Sequence, residues 1–368
     1  MALSIDESTK AGLGPYGFDE ALLASFVARL ALNPSNAVKG ALTPPAAGDV
    51  TALAPLGSAE RERLSAVGLA AIRAGQVGAV VLAGGMATRF GGVVKAVVPV
   101  LGERTFLELK HDDLANVSRR AGGVVPTFVM SSFTTHDRIR AHVVEKGLST
   151  NGRPPIDVFP QYVSLRLTPD GALFRDADGQ LSPYAPGHGD LTFALRRSGL
   201  LKRFLDQGGR VLVMSNVDNL GATLDPALVG LHLEGGAALT AEVVRKEKGD
   251  KGGAPARLDG VPQIIEGFRF PKDFDQDSIP VFNTNTFLLD AKAIDRDFEL
   301  PFYKVEKQVD GRTAVQFERL VGELTAFVPT RFVEVDREGP DGRFLPAKDP
   351  EELARRLPTI EALVAARR

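Results

Sequence analysis

The sequence predicts an α/β fold with a mostly parallel central sheet covered by helices. Three observations predict it. Short apolar runs alternate with amphipathic stretches from Val77 to Arg245. A glycine-rich segment directly follows the first apolar run, and a turn rich in Asn and Asp follows the run Arg210 to Ser215. In open sheets of this kind ligands sit at the carboxyl ends of the strands, where both segments would lie.

Each element has its own signal. Residues 18–32 (FDEALLASFVARLAL) and 59–73 (AERERLSAVGLAAIR) carry apolar positions at helical spacing, joined by a Pro/Ala-rich connection from Pro44 to Pro55. Residues 1–75 are therefore expected to form a helical lobe packed on the main domain. A solvent-exposed arm is the weaker alternative, because the helical faces are too apolar. Val77–Ala83 has the composition of a buried strand, Thr105–Ala121 of a helix, Val124–Met130 of a strand and His136–Lys146 of a helix. Ile156–Phe159 is a short strand. Asp190 is placed to cap a helix through Leu205, interrupted at Gly199. Arg210–Ser215 and Ala238–Arg245 are further strands. Residues 246–275 are expected to be loops around a short strand, Gln263–Glu266. The main domain is assigned to residues 76–335, and the tail, 336–368, carries a helical pattern expected to dock on it.

Composition narrows the function. The chain has 368 residues and a formal net charge of -2, so it lacks the basic field of a nucleic-acid partner. It contains no cysteine, which excludes disulfides, thiolate metal sites and a cysteine nucleophile, and fits a cytoplasmic protein. Its first residues, MALSIDESTKAGLG, lack the pattern of a signal peptide. No apolar run is long enough to span a bilayer, so no membrane partner is expected.

The most informative segment is Leu82–Lys95, LAGGMATRFGGVVK. Gly84, Gly85, Gly91 and Gly92 surround Thr88 and Arg89, and Lys95 closes the segment. Glycines let backbone N–H groups approach a phosphate, and the two cations offset its charge. This is neither a P-loop nor a dinucleotide fingerprint: Lys95 follows Val94 with no Ser or Thr after it, and the first two glycines are adjacent. A glycine-rich turn with ordinary surface cations is the plainer alternative. The joint presence of Gly-Gly, Thr-Arg and Lys favours phosphate.

Further motifs stand in order along the chain: VPTFVMSSFTTHD at 125–137, Tyr-Ala-Pro-Gly-His-Gly-Asp at 184–190, Ser-Asn-Val-Asp-Asn-Leu-Gly-Ala-Thr at 215–223, Val-Phe-Asn-Thr-Asn-Thr-Phe at 281–287, Val-Gln-Phe-Glu at 315–318 and Arg-Phe-Leu-Pro-Ala-Lys at 343–348. Together with the glycine loop they closely resemble the eukaryotic-type UTP–glucose-1-phosphate uridylyltransferases (UDP-glucose pyrophosphorylases), over roughly Val77 to Lys348. Two departures stand out. Val93-Val94-Lys95 replaces the family's Gly-Pro-Lys in a loop one residue shorter, and Thr-Arg is more similar to bacterial sugar nucleotidyltransferases and UDP-N-acetylhexosamine pyrophosphorylases. The sequence also stops soon after Lys348, before the family's β-helical C-terminal domain, so a monomer or dimer is expected rather than the family's larger assemblies.

The resemblance implies a Rossmann-like nucleotidyltransferase domain (GT-A-like) and the reaction of UTP with glucose-1-phosphate to UDP-glucose and pyrophosphate. The attacking phosphate is already ionised, so catalysis is in-line positioning and charge stabilisation without a protein nucleophile. Asp218, just past a strand, would hold Mg²⁺. Alternatively it caps the following turn, with Asn216 and Asn219 as turn formers. Arg89 and Lys95 would offset the triphosphate, with Thr88 beside them. Lys307 is the candidate second cation, with Lys304 as its competitor. Gly84 and Gly85 would lie against uracil, whose edge Gln161 would pair. Gly187 would approach the base, and His188 would contact sugar or phosphate. Asn283 and Asn285 alternate with Thr284, so on an extended segment they share a face that could meet sugar hydroxyls. Glu266 could accept from the same hydroxyls. Strand-edge capping is the alternative for these three. His111, His136, His142 and His232 have no metal-ligand spacing and are expected to be structural.

Two other functions compete. N-acetylglucosamine-1-phosphate is an alternative substrate, since one acetamido group is a question of pocket volume. A non-catalytic nucleotide-sugar-binding regulator is the alternative of another class, and the presence of Arg89, Lys95 and Asp218 together argues against it. The glycine spacing disfavours a dinucleotide-dependent oxidoreductase.

Overall fold

The computed structural model describes residues 4–33, 35–150, 152–250 and 252–367. Its centre is an eight-stranded sheet. In chain order the strands are β1 (Val50–Ala52), β2 (Val77–Leu82), β3 (Thr127–Ser131), β4 (Ile156–Pro160), β5 (Val211–Asn216), β6 (Leu239–Arg245), β7 (Val281–Asp290) and β8 (Thr330–Glu334). The spatial order is β1-β8-β6-β7-β5-β2-β3-β4. Only β7 runs against its neighbours; every other pairing is parallel. The strands β2, β3 and β4 step outward on one side, and β5 returns to the other flank of β2. The order therefore reverses between β2 and β5, and in open sheets ligands bind at such a switch point, beyond the carboxyl ends of the strands.

The central strands are apolar because both of their faces are covered. All six residues of β2 are buried, as are the first five of β5. The helices are α1 (Glu7–Leu13), α2 (Glu20–Ala31), α3 (Ala59–Arg73), α4 (Phe106–Ala121), α5 (His136–Glu145), α6 (Leu191–Arg197), α7 (Leu200–Asp206), α8 (Pro226–Gly235) and α9 (Pro350–Ala366). Thr105 and Glu108 form a capping box that starts α4; a 3₁₀ turn and a short strand pair separate it from the glycine loop. Helices α3 and α8 cross at glycines: a Cβ on Gly68 would stand 1.9 Å from the Pro226 carbonyl oxygen, and one on Gly230 2.1 Å from that of Leu64. Gly199, at φ 74°, separates α6 from α7, as the interruption in the apolar pattern implies.

The first 75 residues are more than a helical lobe. Within the expected connection Pro44–Pro55, Val50–Ala52 pairs with β8 as the edge strand of the main sheet. Leu42 and Thr43 pair with Leu258 and Arg257. Both strands are too short to show a period of two, and their partners lie far along the chain. Only α1 and α2 stand apart from the sheet: Leu23, Phe26 and Leu30 of α2 pack with Leu165, Leu167, Val315 and Phe317. At the other end α9 buries Leu353 and Ile360 beside Val100 and Phe106.

Two hairpins stand beside the sheet. Residues 254–258 pair with 261–265, and 303–309 with 312–318. Each turns on Asp-Gly with positive φ at both positions: 51° and 80° at Asp259-Gly260, 51° and 71° at Asp310-Gly311. Residues 246–275 are thus not loops around one short strand but carry a complete hairpin.

Candidate active site

The glycine segment is a small hairpin. Met86 and Ala87 pair with Val94 and Val93, and a 3₁₀ turn, Thr88–Phe90, joins them. Gly91 and Gly92 supply the positive φ (83° and 78°) that closes it. Thr88 opens this turn; its side chain lies outside the described residues. Arg89 is 65% exposed and lies 3.7 Å from Asp349 at the start of α9. The Lys95 N–H donates to the Gly85 carbonyl at 3.3 Å, so the hairpin folds back on its own entry.

Lys95 and Asp218 meet across the switch between β2 and β5. Lys95 Nζ lies 2.6 Å from Asp218 Oδ2, and their side chains are only 14% and 19% exposed. A cation and an anion singled out for separate reasons thus form one half-buried pair. The Asp218 loop is also held from above: the Ala347 N–H donates to the Asp218 carbonyl at 3.2 Å, and the Leu345 N–H to Asn219 Oδ1 at 2.8 Å. Asn219 lies in a turn, accepting the Ala222 N–H through its carbonyl at 3.2 Å, and is also the attachment point of the segment Arg343–Lys348.

From this pair the candidate residues run in a closed ring of contacts. Asn216, the last residue of β5, accepts through Oδ1 from Asn285 Nδ2 at 3.1 Å. The Asn285 N–H donates to Asn283 Oδ1 at 3.1 Å. The Asn283 N–H donates to the Gly253 carbonyl at 2.9 Å. A Cβ on Gly253 would stand 3.0 Å from Glu266 Oε1, and one on Gly322 3.7 Å from the same oxygen. Val321, the neighbour of Gly322, donates its N–H to His188 Nδ1 at 3.0 Å. Gly189 donates to the Arg319 carbonyl at 3.0 Å. Arg319 Nε reaches Asp190 Oδ1 at 2.5 Å, and Asp190 Oδ2 accepts the Tyr162 N–H at 3.0 Å. Gln161 follows. A Cβ on Gly84 would stand 2.3 Å from its Nε2, and Gly85 leads back to Lys95.

Several residues stand differently from their expected roles. Gly187, at φ 104°, is glycine because a Cβ would stand 2.6 Å from the Arg319 carbonyl oxygen; the close approach is to protein backbone. Asp190 caps no helix: its carboxylate is fully buried and committed to Arg319 and Tyr162. Burial raises its pKa and Arg319 opposes this. Asn285 has φ 57° at a bulge in the β6–β7 pairing. The strict alternation expected of Asn283 and Asn285 is therefore broken, though they stay adjacent through their hydrogen bond. Gly84 and Gly85 also differ: Gly84 is pressed against Gln161, while a Cβ on Gly85 would meet open space.

Burial sets three groups of the ring apart. Gln161 is buried, and its Oε1 has no hydrogen-bond partner among the described residues. Such an orphan acceptor is costly unless a ligand supplies a donor. Burial lowers His188 to about 4, so the imidazole is neutral at pH 7. Its Nδ1 accepts from Val321, so the proton sits on Nε2, which can donate. Burial, reinforced by the Glu323 carboxylate and opposed by Arg269, raises Glu266 to about 7.

The remaining lysines lie outside the ring. Lys307, on the strand 303–309, is 48% exposed and 3.5 Å from Glu318 Oε1. Lys304 is turned to the N-terminal segment: its N–H donates to Asn36 Oδ1 at 3.2 Å and its Nζ to Asn33 Oδ1 at 3.2 Å. Glu318 adjoins Arg319, so Lys307 is the lysine next to the ring. Sequence reading missed Arg319, which carries no motif of its own. It lies 3.9 Å from the Phe193 ring centroid and 4.9 Å from that of Phe302. Among the described residues no three His, Cys, Asp or Glu side chains form a metal-binding group, and no helix is long and apolar enough to cross a membrane.

A family model for UTP–glucose-1-phosphate uridylyltransferase matches residues 38–357. The chain is 32% identical over 292 residues to UTP–glucose-1-phosphate uridylyltransferase of Saccharomyces cerevisiae, covering 74% of this chain and 57% of that protein. It is 31% identical over 287 residues to the Hordeum vulgare protein of the same name, covering 74% and 59%. The chain thus spans less than two thirds of the length of these relatives. Among solved structures, UDP-glucose phosphorylase of Trypanosoma brucei superposes with a TM-score of 0.73 at 25% identity, covering 94% of this chain and 76% of that one. A Leishmania major UDP-glucose pyrophosphorylase in complex with UDP-glucose has the same fold, with a TM-score of 0.70 at 22% identity, covering 96% and 79%. The motifs, the strand order and the family match agree: this chain belongs to the UTP–glucose-1-phosphate uridylyltransferase family.

Proposed function

We propose that the protein transfers uridylyl from UTP to a hexose-1-phosphate, with glucose-1-phosphate as substrate. The observation that carries this reading is the Lys95–Asp218 pair, 2.6 Å apart at the switch point beside the glycine hairpin. A phosphate oxygen of the sugar-1-phosphate attacks the α-phosphorus of UTP. The bond from that phosphorus to the bridging oxygen breaks, and pyrophosphate leaves with its electrons. No proton needs removal from the nucleophile, so the protein's work is alignment and charge compensation.

The ring divides by chemistry. Lys95, with the exposed Arg89 and Lys307, serves the phosphates. The orphan Oε1 of Gln161 suits the N–H on a uracil edge, beside Gly84 and Gly85. Asn285, Asn283 and Glu266 suit sugar hydroxyls, and the His188 Nε2–H is a donor for the sugar or phosphate.

Asp218 would hold Mg²⁺ together with substrate oxygens. The donor set fits: Mg²⁺ in such sites takes one or two carboxylates and completes its shell with phosphate and water. When bound it would neutralise phosphate charge. Lys95 must then exchange Asp218 for a phosphate, which a lysine ammonium on a flexible stem can do. The reading includes a cytoplasmic setting, supported by the absence of cysteine, and a monomer or dimer, which light scattering tests.

The deciding experiment is a pyrophosphate-release assay. It crosses UTP and the other nucleoside triphosphates with glucose-, galactose- and N-acetylglucosamine-1-phosphate, for wild type and Asp218→Asn. UTP with glucose-1-phosphate should be preferred. The variant should fold normally and lose about 10²-fold or more in kcat, the size of one lost preorganised electrostatic contact. Equal turnover of a purine triphosphate, or near-wild-type turnover by Asp218→Asn at saturating Mg²⁺, would overturn the reading.

A further inference from the structure

The Asp218 loop is gripped from below by a group outside the ring. Lys110, on the inner face of α4, is buried. Its Nζ donates to Ser215 Oγ at 3.0 Å and to the Ala222 carbonyl at 2.5 Å. These acceptors flank the loop 216–222, with Asp218 between them. One turn further along α4, Asp113 Oδ2 accepts the Leu224 N–H at 3.2 Å. A buried amine is costly, and an apolar side chain would fill the same space at lower cost. What only the amine supplies here is two donors for two loop-stem acceptors.

We propose that Lys110 is a positioning residue, bracketing the loop 216–222 from α4 so that Asp218 keeps its register against Lys95. The proposal rests on the role given to Asp218 above. The mechanical logic is that of a two-sided clamp. From above, Leu345 and Ala347 fix Asn219 and the Asp218 carbonyl. From below, Lys110 fixes the stems. The helix that carries Lys110 begins at the Thr105–Glu108 capping box, in the stretch of chain that follows Lys95. Burial lowers the amine to about 7, with Asp113 opposing this. The neutral amine still carries two N–H donors, one for each acceptor, so the clamp holds in either protonation state.

Lys110→Met tests this. Methionine keeps the length and apolar stem and removes the donors. A cavity of about 20 Å³ beside Lys110, Ser215 and Ala222 leaves room for the thioether. Two readouts are taken on the full chain: amide hydrogen exchange across 216–224, and kcat with KM for UTP. We expect faster exchange confined to 216–224 and a kcat about 10- to 10²-fold lower, as for a small misplacement of a reacting group. The KM for UTP should stay within about threefold, because the glycine hairpin is untouched. A wild-type kcat overturns the proposal. So does accelerated exchange spread over all of α4 and β5 with turnover per folded molecule unchanged, which is the signature of a merely structural lysine. If Lys110→Met does not fold, Ser215→Ala removes one of the two acceptors; it should move kcat in the same direction by a smaller factor, and an unchanged kcat again overturns the proposal. Asp218→Asn run in parallel separates the two levels. A slow Asp218→Asn beside a wild-type Lys110→Met removes the Lys110 role alone. A wild-type Asp218→Asn removes the parent reading, and loop exchange in Lys110→Met then still decides whether the clamp exists.

Discussion

Gly84 and Gln161 show what a single residue does here. The glycine is required because any Cβ would stand 2.3 Å from the Gln161 amide nitrogen. The room left by the glycine lets the amide stand there, with its Oε1 buried and without a partner among the described residues. Gly84→Ala should therefore swing the amide away with little effect on folding, since the obstacle is the end of a flexible side chain. The KM for UTP should rise about tenfold, the equivalent of one hydrogen bond of about 1.4 kcal/mol. Gln161→Leu should also erode the preference for UTP over CTP. Unchanged KM and base preference in both variants would show that the base binds elsewhere. The residue types of the candidate site stood out in the sequence, because a phosphate, a base edge and a sugar would each demand a recognisable donor or acceptor. Their exact duties were less legible. A glycine carries no sign of which atom it makes room for: Gly187 yields to Arg319 and Gly84 to Gln161. Nor does His188 show in sequence that one nitrogen is spent on Val321.

Elements were legible where burial on both faces writes a continuous apolar run, as in β2 and β5, and where an apolar stripe and caps coincide, as in α3 and α4. They were obscure where pairing, not patterning, makes the strand. β1 is three residues long and exists because β8 lies beside it. The two Asp-Gly hairpins carried a usable signal that the loop-like composition around them masked. The bulge in β7 was hidden for another reason: it is set by the β6 partner, where the register shifts after Glu242. It yields two predictions. Asn tolerates φ 57° better than other non-glycine residues and also donates to Asn216. Asn285→Gly should keep the melting temperature near wild type and raise the KM for the sugar phosphate with little change for UTP. Asn285→Ala should add a loss of about 1 kcal/mol in chemical unfolding, from the strained backbone. An effect on UTP alone would place Asn285 away from the sugar. The segment 343–348 offers a second test at this scale. Arg343 Nε and Nη2 meet the fully buried Glu242 at 2.6 and 2.8 Å. Arg343→Met strands that carboxylate and should cost about 3–5 kcal/mol. Adding Glu242→Leu should recover much of this in the same unfolding assay; no recovery would mean that packing, not charge, holds the segment.

At the scale of the whole molecule, two of the histidines expected to be structural act as clasps between elements, and burial favours the neutral ring of each. His111 Nε2 lies 2.8 Å from the Leu148 carbonyl, and His232 Nδ1 2.8 Å from Thr240 Oγ1, joining α8 to β6. Burial lowers both to about 4. A folded pKa below the unfolded value of about 6.5 means that the unfolded chain binds the proton first as pH falls. The stability these rings contribute is therefore intact above about pH 6.5 and declines progressively toward pH 4. Glu266 opposes them: raised to about 7, it binds its proton in the folded state first and favours folding as pH falls. The wild-type stability curve sums these opposite slopes, so the test is a difference between two proteins. His232→Gln keeps a hydrogen-bonding side chain opposite Thr240 but cannot titrate. Between pH 6.5 and pH 5, wild type should lose about 1.6 kcal/mol relative to the variant in denaturant unfolding, from one proton taken up by one ring of the unfolded chain. Above pH 7 the difference between the two should be flat. Parallel curves down to pH 5 would mean that the ring titrates alike in folded and unfolded chains, and that the clasp between α8 and β6 does not depend on a neutral imidazole.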